Sequence, residues 1–450
     1  MKKILIFLAL LTSFAASAQT FTVQQLVDSA LLNQASVKRA RLGVEAAQQQ
    51  HKELFTKFFP TVSATGLWFN ANQGMAKMEI NPKAMIPEQL QQTMAQFAQM
   101  LPAEVMGTLG ALGNPISLSM MKNGTIGSVM AVQPVFAGCM IINGNKLARV
   151  GSEASELQLR MSENEVEKKV EQYFWQLASL QEKMKTIAVV EEMLANICKD
   201  VKVAVQAGVT MRNDLLQVQL RQNEVESQKV KLQNGIALVR MMLAQYCGLA
   251  DDQFQIAYDT TESILMAQRR DHQQALANTP EYQLLEKQVE AAQLQKKMAI
   301  GQNLPTVAVG AGYTYHNLLD RDHTFGMIFA SVSVPISGWW GGSHAIKRKN
   351  IELLQAKEQL DDNAQLLKIR MQKSWNDVEE AYQQLDIAKR SIEQAEENLR
   401  LNRNFYQAGT CTMSDLLQAQ LLYQQASDQY TDAFAEYHNK VIEYRQAVGE

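Results

Sequence analysis

The sequence is poor in every residue type that would mark a stapled, fibrous or nucleic-acid-binding chain. Its 450 residues hold four cysteines, Cys139, Cys198, Cys247 and Cys411. Their irregular spacing fits neither a disulfide framework nor a zinc site, and reads as four separate, buried or half-buried thiols. Nine prolines and 23 glycines are too few for a collagen-like or low-complexity chain. No charge of one sign dominates: 43 basic residues face 46 acidic ones, a net −3, which excludes a strongly basic nucleic-acid binder. Catalytic motifs are missing too. His51, His272, His316, His323, His344 and His438 form no H-E-x-x-H pair, and there is no G-x-S-x-G elbow or P-loop. No enzyme activity, cofactor or bound metal is therefore expected. What remains is an ordinary mixture, 46% hydrophobic and 20% charged, long enough for two or three domains.

The N-terminus reads as an export signal. Lys2 and Lys3 precede the apolar run Ile4–Leu11, and Ala16-Ser17-Ala18 is a small-residue cleavage site, so residues 1–18 are expected to be removed and Gln19 to begin the mature chain. No cysteine lies near the site, so no lipid is expected there. The rival reading, an uncleaved anchor, is opposed by the shortness of the apolar stretch.

The rest is a duplication. Asn33–Val62 recurs as Asn278–Val307 at an offset of 245, carrying Val44-Glu45-Ala46-Ala47-Gln48 onto Val289-Glu290-Ala291-Ala292-Gln293 and Pro60-Thr61-Val62 onto Pro305-Thr306-Val307. Gln206-Ala207-Gly208 recurs as Gln407-Ala408-Gly409, and Asp214-Leu215-Leu216-Gln217 as Asp415-Leu416-Leu417-Gln418, at an offset of 201 that Pro134 and Pro335 share. The 44-residue difference is an insertion between Pro60 and Pro134. Two long copies point to a pseudo-symmetric molecule rather than a solenoid. The repeats are placed at 19–263 and 264–450.

Each repeat reads helix, strand, strand, long helix, helix. A proline-free helical rhythm runs from about Gly144 to Val205 and again from about Ser343 to Tyr406. Segments this long call for coiled-coil packing, and at 1.5 Å per residue each reaches roughly 90 Å. A glycine break at Gly208 or Gly409 precedes a returning helix, giving helical hairpins over about 144–247 and 343–448. Pro60, Pro134, Pro305 and Pro335 are expected at strand–helix junctions. None of the nine prolines falls inside a long helix, where it would cost about 3 kcal/mol.

The strands are expected at about 61–70, 125–133, 306–316 and 324–334. Each is near the ~9–11 residues that a tilted strand needs to cross a bilayer. In the third, Val307, Val309, Ala311, Tyr313 and Tyr315 alternate with small or polar residues, the pattern of a membrane barrel. Trp68, Phe69, Tyr313, Tyr315, Trp339 and Trp340 fall towards strand ends, where aromatic girdles sit. Two rivals stand beside this reading. Thr125–Ile142 is apolar enough to suggest a membrane helix, though Gln133-Pro134 in its middle opposes that, and the four strands could instead form a soluble sheet packed on the helices. If they do cross lipid, four strands cannot close, because a spanning sheet must satisfy its edges and single-chain barrels begin near eight strands. Copies must then combine, three giving twelve strands and two giving eight.

The layout resembles the TolC-like outer membrane efflux family. The match rests on the stretches from Gln206 to Leu216 and from Gln407 to Gln420, on Leu304-Pro305-Thr306-Val307, and on Val334-Pro335-Ile336-Ser337-Gly338 followed by Trp339-Trp340-Gly341-Gly342. The resemblance implies a mainly α fold with a small membrane β part. It implies a homotrimer whose twelve-stranded barrel in outer-membrane lipid stands on an α-helical barrel, the periplasmic tunnel, with a small equatorial region from residues 248–263 and the chain ends. As partners it implies a periplasmic adaptor (membrane fusion protein) and an inner-membrane RND or ABC transporter, with no reaction catalysed and no nucleic acid bound.

It also implies that the hairpin tips at Gly208 and Gly409 form the periplasmic aperture, with Asp214, Asp415 and Tyr406 at the constriction. Gln418 stands where some members carry a second acid, and Cys411 where an arginine can latch the gate, so this chain departs from a doubled acidic ring and an Arg latch. Asp415 repeated about a three-fold axis would attract cations. A plainer role is open: Asn213-Asp214 and Ser414-Asp415 as N-caps and first-turn acids of the returning helices. The competing function is a periplasmic coiled-coil scaffold or adaptor-like protein. The external insertion, residues 70–124, is rich in methionine. A short amphipathic helix, Pro87–Met100, packing soft side chains over the barrel mouth is preferred there to a Cu(I) site, because no tight ligand spacing recurs.

Overall fold

A computed structural model describes residues 20–73, 76–80, 116–258, 266–318, 321–336 and 338–450. The export segment and the Pro87–Met100 helix lie outside them. In chain order come β1 (Thr20–Phe21), α1 (Val23–Asn33), α2 (Ala35–Phe55), β2 (Thr61–Asn70), β3 (Ala76–Ile80), β4 (Ile116–Met120), β5 (Asn123–Ala137), α3 (Met140–Gln206) and α4 (Arg212–Cys247). β6 (Gln255–Ile256) follows in the inter-repeat segment, and the second repeat then brings α5 (His272–Leu276), α6 (Pro280–Gly301), β7 (Thr306–Asn317), β8 (Asp322–Ser333), α7 (Gly338–Gln407) and α8 (Met413–Ala447). The class is mainly α, with two pseudo-repeats that each supply a long helical hairpin and two of the strands of one sheet. No described helix is long and apolar enough to cross a membrane.

The chain divides into two compact units. The first comprises the stretch ending at His51 with Leu147–Gln293 and Asn350–Glu450. Its core shows the duplication directly. Val170, Phe174, Leu177 and Leu243 are buried in one repeat, and their counterparts 201 residues on, Met371, Trp375, Val378 and Tyr444, are buried in the other. These positions recur every three or four residues, so one stripe of each long helix is apolar and must find a partner helix. In the first repeat that stripe packs with Leu26, Val27 and Ala30 of α1. A capping box between Thr22 and Gln25 starts that helix. β1 and β6 form a short parallel pair, joining the chain start to the inter-repeat segment.

The second unit, Lys52–Lys146 with Leu294–Lys349, is built on a four-stranded antiparallel sheet in the order β2-β5-β7-β8. Its register sets Val129 opposite Tyr313, and Ala311 opposite Ile328. Phe329 lies over Gly310, where an added Cβ would stand 2.4 Å from the ring, so a larger residue there would force the Phe329 ring to shift. The insertion begins as an antiparallel pair, β3 with β4.

Four expectations need correction. Cys139, just after β5, is exposed, whereas Cys198, Cys247 and Cys411 are buried or half-buried as expected. Pro134 does not mark a strand–helix junction: β5 runs on to Ala137, and the proline sits inside it beside a bulge between Pro134 and Phe136. A bulge tolerates the missing N–H, so the strand need not stop there. Pro60 and Pro305 directly precede β2 and β7, and Pro335 follows β8. Trp339 and Trp340 are in the first turn of α7 rather than at a strand end, and the Trp339 indole donates to the Asn303 carbonyl at 2.9 Å. Asn213 and Ser414 are not N-caps. Those positions belong to Met211 and Thr412.

Candidate functional site

Two regions carry features a soluble bundle would not need: the hairpin tips and one face of the sheet. At the tips, α3 and α7 end in the same turn. Val209 N donates to Ala204 O and Gly208 N to Val205 O; 201 residues on, Thr410 N donates to Phe405 O and Gly409 N to Tyr406 O. Gly208 and Gly409 both have φ of 72°, and an added Cβ at either would meet open space. Backbone conformation alone selects glycine at these helix ends.

After the turn the repeats diverge. In the second, the Thr412 hydroxyl accepts from Asp415 N at 3.2 Å, while Asp415 Oδ2 accepts from Thr412 N at 2.9 Å and from Thr412 Oγ1 at 2.6 Å. This is a complete capping box, and these bonds hold the exposed Asp415 carboxyl below its ordinary range. In the first repeat the cap residue is Met211, which has no oxygen to offer. Asp214 instead accepts a hydrogen bond from Thr210 Oγ1.

Asp214 and Thr210 line a cleft of ≈ 690 Å³ together with Tyr406, Gly409, Cys411 and Thr412. The Tyr406 phenol is pushed up by burial first, then by the Asp214 and Cys411 charges, while a hydrogen bond with Thr210 pulls the other way. The Cys411 thiol is raised by burial and by Asp415 and donates to Asn402 O at 3.4 Å. The cleft thus gathers Asp214, Tyr406 and Gly409. Asp415 and Gln418 are exposed on the returning helix and do not line it.

Sequence reasoning missed the polar knot one step further from the tips. Arg221 is buried between α4 and α8. Its Nε donates to Gln420 Oε1 at 2.9 Å, Nη2 to Gln424 Oε1 at 2.6 Å, and Nη1 to Glu224 Oε2 at 2.9 Å. Gln424 in turn donates to Gln228 Oε1 at 2.6 Å. The only local signal was Glu224, an ordinary surface spacing. The buried partners lie in the other repeat.

The sheet is the second region. On one face Val62 and Trp68 of β2, Val129 of β5, Tyr313 of β7, and Ile328 and Val332 of β8 are all exposed, Ile328 by 90%. The register places them on the same side. The opposite face carries Ser63, Thr65, Ser128, Thr314 and Ser331 among apolar neighbours. A contiguous apolar face needs cover. Among the described residues, β2 and β8 end the sheet with unpaired outer edges. Among the described residues, no group of three or more His, Cys, Asp or Glu is placed to hold a metal ion.

Residues 272–450 match the family model described as outer membrane efflux protein. No curated protein matches the chain in sequence. Among solved structures, CusC, studied in relation to folding and transmembrane channel formation, superposes with a TM-score of 0.77 at 15% identity, covering 97% of this chain and 95% of that one. The outer membrane protein VceC of Vibrio cholerae gives 0.72 at 14%, covering 95% and 96%. The open-state MtrE outer membrane channel of Neisseria gonorrhoeae gives 0.72 at 14%, covering 95% and 88%. The resemblance to the TolC-like outer membrane efflux family is therefore borne out: the family model covers residues 272–450, and the fold of these solved outer-membrane proteins matches 95–97% of the chain.

Proposed function

We propose that this protein is the outer-membrane exit duct of a tripartite efflux or type I secretion system. Three copies close a twelve-stranded barrel in outer-membrane lipid, and the helical hairpins form a periplasmic tunnel that receives substrate from an inner-membrane RND or ABC transporter through a periplasmic adaptor. The observation that carries this reading is the four-stranded sheet with an exposed apolar face and two open edges. In lipid the apolar face is covered, but an unpaired edge costs several kcal/mol per orphaned group. Pairing β8 of one copy with β2 of the next removes both edges at once, which neither a monomer nor a soluble scaffold does.

The tips support the adaptor end of the reading. Val209 and Met211 are exposed by 80% and 76%, an apolar point on one hairpin, whereas the second presents Thr410 and Thr412. Asp214 and Tyr406, held in the tip cleft, are assigned to the aperture. Asp415 and Gln418 face outwards from the same helix end, where neighbouring copies would complete the ring. The test is the mature chain purified in detergent and added to planar bilayers. Three chains per particle and a discrete conductance are expected. A monodisperse monomer that leaves the bilayer sealed overturns the proposal.

A further inference from the structure

We infer that His316 and His323 form a two-imidazole site for a divalent transition-metal ion of the zinc, nickel or copper(II) class, at the turn end of the β7–β8 pair. The two residues are direct cross-strand partners, so both rings leave the same face of the sheet side by side. Their centroids are 5.3 Å apart, with the rings inclined at 57°. Two imidazoles bound to one ion through nitrogens at ~2.0–2.1 Å, at a tetrahedral angle, have centroids ~5.2 Å apart. The observed spacing fits such a pair, whereas stacked rings would lie closer.

A second observation points the same way. His316 Nδ1 is buried and makes no hydrogen bond. An orphaned polar atom of this kind calls for an ion or water to complete it. Phe325 stands 6.1 Å from both rings and shields one side of the pair.

The donor set selects the ion. The carboxylate of Asp322, next to His323 in the chain, is engaged by the Tyr315 hydroxyl at 2.8 Å and Asn317 Nδ2 at 3.1 Å. Both partners alternate with His316 along β7, so Asp322 is held on the other face. Two neutral nitrogens and water suit nickel, copper and zinc, in the affinity order that rises to copper. Magnesium and calcium require oxygen ligands and are excluded. The strand register already holds the two residues opposite one another, so no backbone rearrangement is needed to bring the rings together. This chemistry belongs to one hairpin and does not depend on how many copies assemble.

The test uses the full mature chain in detergent, purified through a histidine-free tag and titrated calorimetrically with Zn²⁺ and with Cu²⁺. One ion per chain is expected, with a rise in thermal midpoint and no competition from Mg²⁺. His316→Ala and His323→Ala should each weaken binding roughly ten-fold or more and abolish the thermal rise, while the metal-free melting curve stays that of the parent chain. Equal affinity in parent and variants, or no ion taken up by the parent, overturns the inference. Should either alanine variant melt differently without metal, His316→Asn and His323→Asn repeat the comparison.

Discussion

The two hairpin tips share a turn, a glycine conformation and an Asp-Leu-Leu motif, yet they use their aspartates differently. Asp415 is tied into the capping box of Thr412, while Asp214 turns to Thr210 and the Tyr406 cleft. The cause is a shift of one hydroxyl along the chain. The second repeat has Cys411-Thr412 where the first has Thr210-Met211. Threonine at the cap position claims the acid; threonine one residue earlier pulls it into the cleft. Deeper along the same helices the contrast sharpens. Arg221 is buried while its counterpart Leu422 is 41% exposed. A duplicated motif fixes where a side chain begins, but its neighbours decide what it binds.

The comparison breaks most severely at Arg221. Arg221→Leu, which copies the second repeat, leaves the buried Gln420 and Gln424 without their charged donor. A loss of about 3 kcal/mol is expected, read as a lower thermal midpoint, whereas Leu422→Arg on the exposed side should be nearly neutral.

The next contrast is Glu171 against its counterpart Gln372. Burial first, then Glu167, push the Glu171 carboxyl up to about 7, against the pull of Arg445. In the unfolded chain it titrates near 4.5, so the fold prefers the protonated acid. That contribution is complete below 4.5 and is lost as pH rises through about 7. Glu171→Gln should therefore gain about 1–2 kcal/mol at alkaline pH and nothing in acid, measured as thermal midpoint against pH.

Smaller effects bear on the caps themselves. Thr412→Val removes the box and should cost about 1 kcal/mol at neutral pH. Asp415 has the opposite sign to Glu171. Its folded pKa lies below the ordinary 3.8, so its stabilisation is present above that value and disappears as pH falls through the lowered one. The Thr412→Val penalty should shrink in strong acid. Met211→Thr installs the missing cap and should gain about 0.5 kcal/mol in chemical denaturation. It should also draw Asp214 away from Thr210, seen as a changed Tyr406 titration. An unchanged Tyr406 would mean that Asp214 stays in the cleft despite the new hydroxyl.

Much of the fold class was legible because its signals are local. Helical hairpins announce themselves by proline-free periodicity, and strands by alternation. The limits of that legibility are instructive. Pro134 reads as a terminator because a proline lacks its N–H, but the bulge makes that N–H unnecessary. Trp339 and Trp340 read as girdle residues from their nearness to a strand, although Gly338 already begins a helix. Asn213 and Ser414 have good capping side chains, yet the caps lie two residues earlier, at Met211 and Thr412. Arg221 was invisible because no pattern within α4 reveals that Gln420 and Gln424 will face it.

The amino-acid order alone thus determined a doubled chain of helical hairpins and short alternating strands, since propensity, periodicity and turn chemistry act over a few residues. The meeting of distant side chains waited for the tertiary structure. The Arg221 knot depends on which stripes of α4 and α8 pack together, the Tyr406–Asp214 cleft on how two tips converge, and the His316–His323 pair on a strand register that a one-residue slip would undo. These are contacts between residues far apart in sequence, set by packing and pairing that no single segment encodes.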